Sequence, residues 1–451
     1  MKLNITQFYI LISLIQLITN QIITIPFKTK KNDEILTEDN LMSNLIENEI
    51  YIEIKVGNPK QKIPLYLKLN QYPTYIISSE INLNIPKFDY LKSKTFKSKE
   101  TIDKIYYNYD FNKGKLSEDT FYLIDSNSKE IKIENFTFIL ATETKKEKEK
   151  ISGEIGLKLS FPYSDENVNF INNIKNKQIT HNYPFSIKYN NKNENIGEFT
   201  FGNYYHNFDH NYNEKDFKIM KVGIPRREIQ WQLLFHKIYL NNQLLNENSI
   251  VDLSYEFGLI IGTFYYYNKI KEIYFNNFTN DCIEKKFYND NYIYFECNSK
   301  IDINKFPDLI FINDGFDFNF TFNGNDLFYK FKDKYYFQII FQNSPSVIWK
   351  FGKLFFKKYH IFFDIDKKII GLYPYLILYS SKFNYSWFIV IILLIILVGL
   401  LIYIKLNLIY NKRKIRASEL EDEFNNSFDY SQNNNNNYIN VNVGKNKLLK
   451  I

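Results

Sequence analysis

Asp252 and Lys68 are charged residues set among apolar neighbours, an acid and a base by type. Asp252 lies in Ile250–Gly262 (IVDLSYEFGLIIG), among apolar neighbours. Lys68 lies in Tyr51–Ser78 (YIEIKVGNPKQKIPLYLKLNQYPTYIIS), and no Asp or Glu occurs from Lys60 to Ser79. An aspartate works as an acid or base in water activation when a second carboxylate shares its proton. A lysine beside an aspartate instead favours the charged form of both groups. Other chemistries have weaker support. The five histidines include His206 and His210 in HNFDH, a stretch that reads as a solvated turn, and no metal cluster is visible. No Gly-rich phosphate loop and no local Ser or Cys nucleophile motif occurs, so no cofactor is expected.

The elements that must position these residues are strands. From about Lys28 to Tyr379, short runs rich in Ile, Tyr, Phe and Val alternate with polar residues between Asn, Asp and Gly clusters. Phe121–Asp125, Asn135–Leu140, Glu198–Phe201 and Ile310–Ile312 are examples. Helical period occurs in Ser164–Gln178 and Thr263–Asn276. The pattern predicts a mainly β chain built as sandwich or barrel-like lobes. With 451 residues, 45% of them hydrophobic, the chain has ample material for two lobes. The net charge of +7 is dispersed among acidic residues, so nucleic acid is not an expected partner.

The order of motifs resembles the pepsin-like aspartic peptidases. Tyr51–Ser78 resembles their opening strand, Gly-x-Pro turn (Gly57, Asn58, Pro59) and second strand. Lys104–Thr120 resembles the flap hairpin, with Tyr107 at the flap tyrosine and Gly114 and Asp119 at later landmarks. Ser152–Phe161 (SGEIGLKLSF), Tyr183–Ile187, Gly197–Gly202, Ile229–Leu240 and Trp349–Pro374 resemble successive later segments of both lobes. The resemblance implies a bilobal acid-protease fold, with lobes at residues 50–222 and 223–379. It also implies a disulfide between Cys282 and Cys297, which would otherwise read as two lone thiols.

The same resemblance implies two facing aspartates, and only one is matched. Eleven residues on from Gly57, the first aspartate position holds Lys68, followed by Leu69 and Asn70. Asp252 matches the second position, followed by Leu253, Ser254, Tyr255 and Glu256. Asn70 can hold a water but cannot act as a base, and the leucines cannot make the hydrogen bonds of the threonines they replace. A Lys68–Asp252 ion pair is the expectation if the two side chains face one another; the alternative is a solvated Lys68.

The chain ends add a topology. Lys2 followed by apolar Phe8–Ile18 reads as a signal peptide over residues 1–20, and residues 21–49 are a candidate pro-segment. Trp387–Ile404 is an uninterrupted apolar run with interfacial aromatics at its ends and basic residues after it. It reads as a C-terminal transmembrane helix whose following side is cytoplasmic. Residues 405–451, with Asn433–Asn437, read as a disordered tail. Sequons at Asn135, Asn277, Asn319 and Asn384 then fall on the lumenal or extracellular side.

Three functions follow. The favoured one is a membrane-anchored, catalytically impaired relative, in the secretory pathway or at the cell surface, that binds extended peptide or protein in its cleft. The second is an active aspartic endopeptidase using Asp252 with a carboxylate such as Glu256 or Glu80. The third is a structural or adhesion glycoprotein with a cleft filled by Tyr72 and Tyr255.

Overall fold

Alternation decides which face each strand buries. In Ile50–Val56 (IYIEIKV), the Ile and Val side chains point inward and Tyr51, Glu53 and Lys55 point outward. The Gln61–Lys68 strand pairs antiparallel with it across the Gly57 turn. Longer runs such as Glu130–Thr144 bury a continuous patch from Phe136 to Ala141, because both faces meet protein there. Within that patch Phe136 stacks on Phe121 at 4.1 Å. Such a pair contributes about 0.5–1.5 kcal/mol beyond burial.

The computed structural model describes residues 22–30, 36–102, 111–144, 151–159, 166–180, 182–190, 193, 195–209, 211–222, 230–343, 348–374, 399 and 401–422. The chain divides into two units, Met1–Ile377 and Leu378–Ile451. The first is mainly β and holds two large sheets, one of 13 strands and one of 11. The expected lobe boundary at 222/223 falls between strands of different sheets. The closing strands His360–Asp364 and Ile369–Tyr373 nevertheless return to the first sheet, where they pair with Pro184–Tyr189 and Lys218–Lys221. The two stretches of helical period contain the Phe170–Asn176 and Phe264–Phe275 helices. The Cys282–Cys297 disulfide is present and joins two facing strands of one hairpin.

Residues ahead of the first lobe strand are built into both halves of this unit. Ile23–Thr29 pairs with Ile196–Phe201 and with the start of Ile50–Val56. The Glu38–Ile46 helix begins with a capping box at Thr37, which satisfies two otherwise orphaned N–H groups. It buries Leu41, Met42 and Ile46 against Leu259, Ile261 and Ile340 of the second sheet. The candidate pro-segment thus forms a strap from one sheet to the other.

In the second unit, residues 401–422 are helical and exposed. Among the described residues no helix is long and apolar enough to cross a membrane. Most of the apolar run 387–404, the signal-like segment 1–20 and the tail beyond 422 lie outside the described residues.

Candidate functional site

Lys68 is the last residue of its strand and pairs in parallel register with Gly156 on the Gly153–Gly156 strand. Its side chain is 13% exposed, and Nζ stands 3.6 Å from Glu256 Oε1. Lys68 is therefore ion-paired with Glu256, four residues beyond the expected Asp252. The pair joins the two sheets.

Asp252 lies near the end of the Gln243–Leu253 strand, between Gln232 on one side and Lys350 on the other. Gln232 Nε2 donates to Asp252 Oδ1 at 2.5 Å. Burial pushes the Asp252 carboxyl above its usual range, and the Gln232 bond and the Lys350 charge offset this only in part. Lys350 Nζ also lies 5.3 Å from the centre of the Phe257 ring. A pocket of about 230 Å³ opens here, lined among others by Asn70, Trp231, Asp252, Ser254, Glu256 and Lys350.

Both loops are braced by their backbones. Lys68 O accepts from Leu157 N at 2.9 Å, and Ser254 N donates to Phe351 O at 3.0 Å. Ser254 Oγ accepts from Glu256 N at 3.3 Å. Gly156 and Gly352 each let a loop approach closely. An added Cβ would stand 2.1 Å from Tyr72 O at the first and 2.1 Å from Phe257 O at the second. The strand pairings are also repeated. Glu154 lies opposite Tyr66 in the parallel pairing and opposite Tyr75 in the antiparallel one. Lys350 lies opposite Asp252 and Ile261 in the corresponding pairings.

Further contacts tie the halves together. Trp231 Nε1 donates to Leu157 O at 2.7 Å. Asn48, at the end of the strap, donates to Tyr189 Oη and Tyr255 O and receives no water access to speak of, being 6% exposed. Its own N–H donates to Glu256 O, which fixes the loop that presents Glu256.

The remaining expected residues are dispersed. Tyr107 lies outside the described residues, while the strands flanking it, Lys97–Ile102 and Phe111–Ile124, pair as a hairpin. Asp119 is a structural group, accepting from Thr95 Oγ1 and Thr120 N. Glu80 is removed from the pocket lining and accepts from Tyr90 Oη. Tyr72 and Tyr255 are both buried and are not among the residues lining this pocket; Tyr255 packs on Phe356 at 3.9 Å. Asn135, Asn277 and Asn319 are exposed, and Asn384 lies outside the described residues. His206 is half-buried rather than solvated. Its Nδ1 bonds Tyr373 Oη at 2.6 Å and its ring stacks on Tyr204. Among the described residues no group of three His, Cys, Asp or Glu is placed to hold a metal ion.

Gln232, Lys350 and the Lys68–Glu256 contact were not marked by sequence reasoning. The position of Glu256 just after the Asp252 strand was the available signal. No curated protein matches the chain. A family model described as eukaryotic aspartyl protease matches residues 49–375, which takes in the second sheet, the first sheet except Ile23–Thr29, and both loops of the pocket. With the bilobal β architecture, this match establishes that the chain belongs to the eukaryotic aspartyl protease family.

Proposed function

We propose that this chain is a membrane-anchored aspartyl protease relative that binds extended peptide in its cleft without hydrolysing it. The observation that carries the reading is Lys68, which stands where the family places an acid and is paired with Glu256. An ammonium at that place cannot share a proton with a facing carboxylate, so a water between the loops lacks its base. The cleft itself supports binding. The pocket is open, its floor is braced by backbone bonds, and peptide can pair along strand edges without a reaction.

Anchoring rests on the apolar Trp387–Ile404 run and the basic residues that follow it. That topology, with the signal-like residues 1–20, places the lobes in the secretory lumen or outside the cell, where a disulfide persists and the exposed sequons can be glycosylated. The partner is a peptide or protein segment in extended form.

One observation favours an active enzyme: Glu256 and Asp252 line the same pocket. The ion pair of Glu256 with Lys68 stands against it. The open pocket and the buried Tyr72 and Tyr255 stand against a cleft-filled structural glycoprotein. The full-length protein in detergent should retain members of an extended-peptide library and cleave none at acid pH. Cleavage that pepstatin blocks, or that Asp252→Ala abolishes, would overturn the proposal.

A further inference from the structure

We infer that the second acid position of the cleft is held by Ser254, and that Asp252 stands two residues ahead of it on the strand. The inference rests on the non-hydrolytic reading above and deepens it, because both acid positions are then vacated. The evidence is the internal symmetry of the strand pairings. Each lobe has a short central strand gripped by the two strands that flank one loop. In the first lobe the residue bonded across to both flanks is Glu154, opposite Tyr66 and Tyr75. In the second, Lys350 lies opposite Asp252 and Ile261, and Phe351 lies opposite Leu253 and Ile260. Matching Glu154 to Lys350 gives the loop the same length in each lobe, from Tyr66 to Tyr75 and from Asp252 to Ile261, whereas matching it to Phe351 does not; Tyr66 then corresponds to Asp252. Two residues on, Lys68 corresponds to Ser254.

Two independent features give the same register. Two residues beyond Glu154 is Gly156, and two residues beyond Lys350 is Gly352. Each of these glycines is pressed against the backbone of its own loop. The outer pairings agree as well. Tyr75 faces Ile139 and Ile261 faces Ile340, each in a parallel ladder. Taking Asp252 as the counterpart of Lys68 would break all three correspondences by two residues.

In this register the chemistry is blocked twice. A serine hydroxyl does not ionise near acid pH, and Ser254 Oγ is already engaged as acceptor from Glu256 N. Lys68, its counterpart, is a cation beside Glu256. A single change at Lys68 would leave an aspartate facing a hydroxyl, with no proton to share. Asp252, between two neighbouring strands, is engaged as acceptor from Gln232 Nε2.

Restoration and cross-linking on the full-length chain test this. Lys68→Asp combined with Ser254→Asp should give pepstatin-sensitive cleavage at acid pH, and adding Asp252→Asn should leave it. Lys68→Asp alone should stay inactive. Cleavage by Lys68→Asp alone, lost on adding Asp252→Asn, would overturn the assignment. Cross-linking decides the matter if no variant turns over. With Lys68→Cys, the shortest bifunctional thiol reagent should bridge to Ser254→Cys about tenfold faster than to Asp252→Cys. Equal or reversed rates would overturn the inference. Cleavage by the unaltered chain would refute the non-hydrolytic reading, and the cross-linking rates would still report on the register alone.

Discussion

The two loops at the cleft floor share a backbone plan and differ in what fills it. In the first lobe, Leu69 enters the core and Asn70 faces the pocket. In the second, the corresponding places hold Tyr255, buried on Phe356, and Glu256, which reaches across to Lys68. The first loop has a hydroxyl brace, since Thr74 Oγ1 accepts from Gly156 N at 3.4 Å. The second has a hydroxyl bond within the loop, Ser254 Oγ from Glu256 N, and adds aromatic packing of Tyr255. Ladder register and close-packed glycines hold this floor in both lobes, whichever side chains fill it.

The largest expected effect tests the shared plan. Gly156→Ala and Gly352→Ala should each cost about 3 kcal/mol or more, because each forces backbone against backbone. Denaturant unfolding that found one of them harmless would break the likeness between the lobes. Next comes the filling. Tyr255→Ala should cost about 4 kcal/mol and Leu69→Ala about 2–3, in proportion to the volume each leaves empty. Equal losses would show that aromatic packing is not what distinguishes the second loop.

The contact between the loops should be weaker. Lys68→Met leaves Glu256 partly buried without that cation, at a cost of about 1–3 kcal/mol, reduced from the fully buried case by the solvent access of both groups. Pairing it with Glu256→Gln in a double-mutant cycle should recover part of the loss. A cycle that sums without coupling would remove the ion pair from the account. The smallest effect concerns Asp252. Its folded carboxyl is raised by burial, so the fold is favoured by the protonated form and loses stability as pH rises through the raised value. Asp252→Asn should therefore raise Tm relative to the parent at neutral pH. The gain should vanish below about pH 4, where the unfolded aspartate is also protonated. A pH-independent difference would contradict the direction of the shift.

Much of the scaffold was legible in the sequence. Ile50–Val56 alternates cleanly, the cysteines pair, and the family landmarks fall in order through both sheets. The lack of any carboxylate near Lys68 in the chain was also legible. The site's detail was not. Strand side chains repeat every second residue, so a slip of two leaves each on its original face and the pattern cannot register it. Asp252 and Ser254 are related in that way. The Lys68–Glu256 contact joins residues from separate sheets, and Lys350 comes from a strand almost a hundred positions later; apolar periodicity carries no trace of either. His206 reads as solvated from the Asn and Asp of HNFDH, while in space its ring stacks on Tyr204 and its Nδ1 bonds the distant Tyr373.

The strap has a consequence for maturation. Its leading strand is zipped to a neighbour on each edge, and its helix is seated on the far sheet. Scission of the chain anywhere between Thr29 and Glu38 would therefore produce two fragments that remain docked. A processing event there would change the band pattern on a denaturing gel and leave the assembled particle as it was, with no peptide shed and no cleft uncovered.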